Sequence, residues 1–145
     1  MRTDYVVGFA LSGPFVLLVL KARPAWQKGK LNGVGGHVEA GELPLEAMRR
    51  EFFEETGIWT QLPDWRQFAV VHTTQSRVFM FATTLLGQVP PNGKSDEPVV
   101  WVPADQLKLL DVLPNLHWLV PMAMRADDLP VPAIVHETAN YETAA

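Results

Sequence analysis

The hydrophobic positions near the start of the chain predict a pair of buried strands. Two apolar segments, 4–11 and 15–22, flank a Ser-Gly-Pro tripeptide at 12–14. Short apolar runs divided by turn residues are typical of a β-hairpin. Because the tripeptide interrupts the run, neither half is long enough to cross a bilayer, and the pattern does not fit a signal peptide. We therefore expect a hairpin buried in a globular domain.

The later hydrophobic segments predict a second strand pair and further short elements. Strands are expected at 65–74 and 76–86 with a tight turn at Gln75, followed by a polar loop and a short strand at 99–102. Short helices are expected at 104–110 and 116–125. After Asp127 the pattern fades, and the last ten residues are expected to be loosely held.

One segment between these strand pairs has the period of an amphipathic helix with defined ends. Pro44 suits the first helical turn, and Gly57 suits the left-handed position after the last turn. At about 100° per residue, Leu45, Met48 and Phe52 project from the same side. These three residues are therefore expected to form a stripe that packs against the core.

Length and composition indicate a single globular domain with a modest acidic charge. The chain has 145 residues, 48% of them hydrophobic and 19% charged, with a net charge of −4. This charge argues against extended nucleic-acid binding. The absence of cysteine excludes disulfides, thiolate nucleophiles and zinc-thiolate sites. We expect a cytoplasmic protein with no membrane association.

Six glutamates lie between Gly36 and Gly57, and only Arg49 and Arg50 offset them. They are Glu39, Glu42, Glu46, Glu51, Glu54 and Glu55. Crowded carboxylates need a compensating cation, and hard oxygen ligands favour magnesium, manganese or calcium. The alternative is a solvated helix face held by salt bridges, which the strict spacing and the few arginines disfavour.

The spacing G-x5-E-x7-R-E-F-x-E-E-x-G-I resembles the signature of the Nudix hydrolases. The matching positions are Gly36, Glu42, Arg50, Glu51, Phe52, Glu54, Glu55, Gly57 and Ile58. The resemblance is tight over 31–58 and looser over about 4–125. It implies an α+β Nudix fold with a mixed β-sheet sandwiched between α-helices. We predict one domain at 1–128 and a loosely ordered C-terminal extension at 129–145.

The resemblance implies a cation site on the helix and its preceding turn. Glu51, Glu54 and Glu55 would be metal ligands for Mg²⁺, with Mn²⁺ as a substitute, and the Gly35 carbonyl would be a further ligand. Glu51 or Glu54 would activate water, a choice that stays open. Arg50 would orient the carboxylates.

Other residues are implied as supports or as a distant ligand. Glu42 would support the loop and the helix start, and Gly57 the helix end. A further carboxylate often comes from a distant loop, and Asp96 and Glu97 precede the strand at 99–102. Glu97 is the favoured metal ligand, and the alternative is a solvated loop acid.

The segment 29–36 is similar to that of the oxidised-purine nucleoside triphosphatase branch of the family. By that similarity Asn32, whose amide both donates and accepts hydrogen bonds, would read a base edge. Trp26 could stack on a base or pack as a loop aromatic. The glycines, Gly36 among them, would let the backbone approach the substrate closely.

The chain departs from this branch where an acidic pair would read the purine. Asn115 and Leu116 occupy those positions, which weakens the case for oxidised guanine, and Asn115 stays a candidate substrate contact. His72 and His117 are pocket candidates, although lone histidines are more often structural or on the surface. Trp118 is expected to belong to the core.

The function implied is magnesium-dependent cleavage of the pyrophosphate linkage of a small nucleoside diphosphate derivative. The favoured substrate is a (deoxy)nucleoside triphosphate, cut to a monophosphate and pyrophosphate. The alternatives are ADP-ribose or another nucleoside diphosphate derivative, and a nucleotide-sensing module without catalysis. The resemblance also allows a homodimer.

Overall fold

The computed structural model describes residues 2–88, 93 and 95–138. Its strands are β1 (Thr3–Ser12), β2 (Phe15–Leu20), β3 (Leu31–Asn32), β4 (Val34–His37), β5 (Arg66–His72), β6 (Ser76–Thr84), β7 (Val99–Pro103) and β8 (Ala133–His136). Its α-helices are α1 (Pro44–Thr56) and α2 (Leu116–Met124), and its 3₁₀ helices are Leu62–Asp64, Ala104–Leu109 and Ala126–Asp128. Part of the predicted polar loop 87–98 and residues 139–145 of the predicted extension lie outside the described residues.

The strands form one mixed sheet in the order β3-β2-β1-β6-β5-β8. Pairs β1–β6 and β5–β8 are parallel and the others are antiparallel. Both predicted hairpins, β1–β2 and β5–β6, are confirmed. One edge of β1 is shared, because β2 pairs with its end and β4 with its middle. None of the helices within the described ranges has the length and apolarity needed to cross a membrane.

The two α-helices cover opposite faces of the sheet, which confirms the predicted layers. Successive side chains of a strand point to opposite faces. Accordingly, Val6 of β1 packs in a cluster with Met48 of α1, whereas Phe9 packs in a second cluster with Leu116 of α2. All four side chains are fully buried. The sheet therefore separates a compartment beside α1 from a compartment beside α2.

Helix α1 has the ends and the core stripe that the sequence predicts. It begins at Pro44, and Gly57 follows its end in the left-handed conformation at φ 74°. The Gly57 N–H donates to the Phe53 carbonyl at 2.8 Å, which satisfies a terminal acceptor. Met48 and Phe52 are fully buried against the sheet. The opposite flank of the helix is thereby left to carry the glutamates.

Two predictions from the second half of the chain need correction. The segment predicted as a helix at 104–110 is a 3₁₀ helix over Ala104–Leu109. The pattern predicted no element after Asp127, and this is wrong for Ala133–His136, which form β8. The reason is non-local, because among the described strands the partner of β8 is β5, paired from Ala69–Ala133 to His72–His136. A four-residue strand has too little hydrophobic pattern of its own to be recognised.

Replacing Gly35 by alanine is expected to lower the free energy of unfolding by about 3 kcal/mol or more, because overpacking is costly where neighbours cannot move. A Cβ at Gly35 would overlap the carbonyl oxygen of Val6 within the β1–β4 pair. Urea denaturation measures the loss. Gly29→Ala is the comparison. No heavy atom of the described residues lies within 4 Å of the added Cβ, and φ of Gly29 is 83°. That variant should lose about 1–2 kcal/mol. Equal losses in the two variants would contradict the prediction.

Candidate active site

The glutamate cluster consists of Glu42 before α1 and of Glu51, Glu54 and Glu55 on α1. Arg50 lies at its centre. Its Nε and Nη2 donate to the two carboxylate oxygens of Glu42 at 2.8 and 3.0 Å. Its Nη1 donates to Glu51 at 2.9 Å and lies 3.4 Å from Glu54, and its Nη2 also donates to the His37 carbonyl at 3.0 Å. The hydrogen bonds from Arg50 lower the pKa of Glu42. Arg50 therefore ties the loop before α1 and the end of β4 to two of the predicted metal ligands.

Glu51 lies directly against the glycine strand β4. A Cβ at Gly36 would overlap the Glu51 carboxylate, which would then have to move from its present position. Burial raises the pKa of Glu51, although the hydrogen bond and charge of Arg50 act in the opposite direction. The Glu51 carboxylate therefore lies between α1 and β4, beside Gly36.

Glu55 carries an oxygen that lacks a partner. Its Oε2 is buried and accepts no hydrogen bond within the described ranges. Burial raises the pKa of Glu55 to about 7; the Lys21 ammonium opposes this shift, and the charges of Glu51, Glu97 and Glu54 add to it. A buried acceptor without a donor is costly. This orphaned oxygen, placed among other carboxylates, fits a divalent cation.

The chemistry of the donors fits magnesium or manganese. Carboxylate and carbonyl oxygens are the ligands that these ions prefer. Glu54 offers an accessible carboxylate on the same helix, with 58% of its side chain exposed. In the described part of the chain no three His, Asp or Glu side chains already converge in a ligating arrangement. Glu51, Glu54 and Glu55 would therefore have to turn toward a shared cation.

Glu97 is a buried, hydrogen-bonded residue with only 6% of its surface exposed. Its Oε2 accepts the backbone N–H groups of Ala22 and Arg23, and its Oε1 accepts Lys21 Nζ at 3.1 Å. Burial raises the pKa of Glu97, but these hydrogen bonds outweigh it and the pKa is lowered. The solvated-acid alternative is wrong for Glu97, whereas Asp96 is exposed and pairs with Arg23 at 2.6 Å. That Glu97 binds the metal stays a prediction.

A cleft of about 740 Å³ opens on the α2 side of the sheet. All four residues predicted to contact the substrate line it. They are Trp26, Asn32, Gly36 and Asn115. Gly36 also contacts Glu51, so the cleft meets the glutamate cluster at β4. The structure therefore gathers residues from four separate segments around one space.

Asn32 is fixed by its neighbours in the cleft wall. Its Nδ2 donates to Gln27 Oε1 at 3.1 Å, and its Oδ1 accepts the Gly33 N–H at 2.8 Å. An amide has two N–H donors and two acceptor lone pairs, so the described residues leave one of each available. Gln27 also lines the cleft, and sequence reasoning missed it because only the fold brings it beside Asn32.

Glu137 is a second cleft residue that sequence reasoning missed. It follows β8 directly, and its Oε1 accepts Asn115 Nδ2 at 3.2 Å. Its side chain lines the cleft together with that of Asn115. No local pattern pointed to it, because it belongs to the segment where no element was predicted.

The candidate histidines lie elsewhere. His72 stacks on His136 with 5.1 Å between ring centroids, and its Nδ1 lies 2.7 Å from Arg2 Nη1. His117 is exposed on α2. Neither is among the described residues that line the cleft. Trp118 packs against the core cluster beside α2, as predicted.

Comparisons with known proteins point to one family. The family model described as NUDIX domain matches residues 1–120. The MutT protein of Bacillus halodurans is similar in structure at a TM-score of 0.74 and 21% identity, over 96% of this chain and 92% of that one. The NUDIX domain of Shewanella oneidensis NrtR, complexed with ADP ribose, gives 0.74 at 16% identity, over 86% and 88%.

A third structure contains a metal ion. It is a bifunctional NMN adenylyltransferase/ADP ribose pyrophosphatase of Francisella tularensis, complexed with AMP and a manganese ion. Its TM-score is 0.70 at 17% identity, over 86% of this chain and 42% of that one. A comparison with curated proteins finds no match. At these identities the structural likeness concerns the fold.

Proposed function

Since this chain belongs to the Nudix family and is a Nudix pyrophosphohydrolase, we propose that it cleaves a (deoxy)nucleoside triphosphate to a monophosphate and pyrophosphate with Mg²⁺. The observation that carries this proposal is the junction at Gly36, which lines the cleft and contacts the Glu51 carboxylate. A nucleoside in the cleft would place its phosphates next to the glutamate cluster. Substrate recognition and hydrolysis would then share one continuous site.

The chemistry depends on bringing water to a phosphorus atom surrounded by negative oxygens. When bound, divalent cations neutralise phosphate charge and promote the ionisation of water. Gly35, Glu51, Glu54 and Glu55 would hold them. The remaining task of the protein is positioning and electrostatic stabilisation.

We favour Glu54 over Glu51 as the residue that accepts the proton from water. Glu51 is shielded against Gly36 and receives a hydrogen bond of 2.9 Å from Arg50. Glu54 is 58% exposed, and its contact with Arg50 is longer at 3.4 Å. A general base must reach the proton and be free to take it. Arg50 would hold Glu51 in place while leaving Glu54 accessible.

The cleft would bind the base by stacking and by hydrogen bonds. Trp26 is half-buried at its wall, and stacking of a base on an aromatic ring contributes about 1–3 kcal/mol. Asn32, with one donor and one acceptor left over, would read the base edge. The interpretation of Asn32 and Trp26 as substrate contacts is supported by their place in the same cleft.

A second candidate substrate is ADP-ribose. Two of the similar structures are named for ADP ribose, one as its complex and one as its pyrophosphatase. The glutamate cluster would serve the cleavage of either compound, because both contain a phosphoanhydride. The two candidates therefore differ in which compound the cleft binds, not in the bond that the glutamate cluster would help to cleave.

A panel of substrates tests the proposed function. Nucleoside triphosphates, oxidised purine nucleotides, ADP-ribose and other nucleoside diphosphate derivatives are assayed with Mg²⁺ for release of phosphate or pyrophosphate. We expect turnover to be highest for nucleoside triphosphates, with pyrophosphate as a product and no activity in EDTA. Preference for ADP-ribose would support the second candidate, and no turnover of any compound would refute both.

Asn32→Ala is expected to change discrimination among bases about 10-fold while changing phosphate cleavage less, since a hydrogen bond contributes about 0.5–1.5 kcal/mol. The measurement is the ratio of kcat/KM values across triphosphates with different bases. Gln106→Ala, exposed on a 3₁₀ helix, is the control. An equal loss on all bases would count against base reading by Asn32.

A further inference from the structure

The carboxylate of Glu137 is fixed at the α2 side of the cleft by two contacts. Its backbone N–H donates to the His72 carbonyl at 2.9 Å, which extends the β5–β8 pairing by one residue. Its Oε1 accepts Asn115 Nδ2 at 3.2 Å. Glu137 is half-buried, and both residues line the cleft. The side chain is thus directed by the fold and does not extend freely into solvent.

The hydrogen-bonding capacity of Glu137 is only partly used. An ionised carboxylate accepts hydrogen bonds at about four lone-pair positions and donates none. Asn115 occupies one of them. In the described ranges no Lys, Arg or His forms an ion pair with Glu137, and the cleft residues Lys21 and Arg23 pair with Glu97 and Asp96. Among the described residues, its other acceptor positions are therefore open to N–H or O–H donors of a ligand in the cleft.

The negative charge indicates which part of a nucleotide lies beside Glu137. A phosphate there would face an unpaired carboxylate and be repelled. The phosphates instead belong at Gly36, where the cleft meets the glutamate cluster and the expected cations. The ribose is bonded to the phosphates and stays near them, so the base, with its N–H donors, is the part that reaches Glu137. Exocyclic amino groups of cytosine, adenine and guanine are such donors, and a carboxylate is their natural acceptor.

We infer that Glu137 is a specificity-determining residue, positioned by Asn115, that selects nucleotides whose base carries an exocyclic amino group. This inference rests on the proposed function of the cleft as a nucleotide site. Guanine and hypoxanthine differ by one amino group, and cytosine and uracil differ where cytosine carries its amino group. A site that hydrogen-bonds such a group rejects the analogue without it, since its own acceptor is left unpaired.

The first test compares kcat/KM for the pairs GTP and ITP, ATP and ITP, and CTP and UTP. The wild type should prefer the amino-bearing member of the pair that it cleaves best by about 10-fold or more, as expected for a charged hydrogen bond. Glu137→Gln should reduce that preference about 10-fold, because the amide replaces one acceptor oxygen by a donor. Asp105→Asn, an exposed acid on a 3₁₀ helix, is the control of equal charge change and should keep the wild-type ratio.

The second test separates this inference from the proposed hydrolysis. Binding of GMP, IMP, AMP, CMP and UMP is followed by tryptophan fluorescence in EDTA, where no turnover occurs. A preference for amino-bearing monophosphates that Glu137→Gln abolishes supports the inference, even if no triphosphate is cleaved. An unchanged preference in Glu137→Gln, or a wild type without any preference, overturns it. Equal weakening of both members with a lower melting temperature also overturns it, because Glu137 would then only hold β8 against α2.

Discussion

Glu54→Gln is expected to lower kcat by about 100- to 1000-fold, equivalent to about 3–4 kcal/mol of transition-state stabilisation. The change removes one negative charge from the group that we propose as the proton acceptor and cation ligand. It should leave the fold intact, because the Glu54 side chain is 58% exposed and its contact with Arg50 is long at 3.4 Å. The measurement is kcat at saturating Mg²⁺ and substrate, with circular dichroism and the melting temperature as checks on folding.

Glu46→Gln is the matched control on the same helix. Glu46 accepts the Leu43 N–H at 2.9 Å at the start of α1, and the amide oxygen of glutamine can accept it equally. Its kcat should stay near the wild-type value. Near-normal turnover of Glu54→Gln, with the same folded spectrum, would refute the assignment of Glu54 and leave Glu51 as the candidate base.

Arg50→Met is expected to lower the free energy of unfolding by roughly 3 kcal/mol in metal-free buffer, because the shielded carboxylates lose the guanidinium group that pairs with them. The side chains of Glu42 and Glu51 are each only 15% exposed, and Arg50 contacts both within 3.0 Å. Urea denaturation with EDTA and with Mg²⁺ measures the effect. The loss should be smaller with Mg²⁺, since a cation that binds Glu51 replaces part of the missing charge.

Two further variants separate charge from geometry. Arg50→Lys keeps the positive charge but cannot donate two parallel hydrogen bonds to Glu42. Its stability is expected to lie between those of the wild type and Arg50→Met, with a low kcat. Arg77→Met removes an ion pair with Asp4 at 2.8 Å that is more exposed, and should cost less than about 1 kcal/mol. If Mg²⁺ leaves the stability gap between wild type and Arg50→Met unchanged, the glutamates near Arg50 do not bind the cation.

The sequence was most informative where structure is determined locally. The caps and core stripe of α1 follow from residues within a few turns of one another, and Pro44, Gly57, Met48 and Phe52 all have their predicted places. The same holds for the first hairpin, where the turn at 12–14 joins two apolar strands. Short-range spacing alone specifies these elements.

Features that depend on distant backbone groups were not predictable. Strand β8 exists because the edge of β5 offers hydrogen-bonding groups more than sixty residues earlier in the chain. Glu137 enters the cleft only as a result of that pairing. Likewise, the environment of Glu97 is set by N–H groups of Ala22 and Arg23, about seventy-five positions away. Local patterns do not contain such information.

The placement of α1 and the cleft on opposite sides of one sheet has an evolutionary consequence. Substitutions in the wall beside α2 leave the packing of Met48 and Phe52 beneath the glutamates untouched. Substitutions there can therefore change which substrate is bound without changing the packing that supports the catalytic glutamates. Substrate specificity and catalysis can then evolve separately.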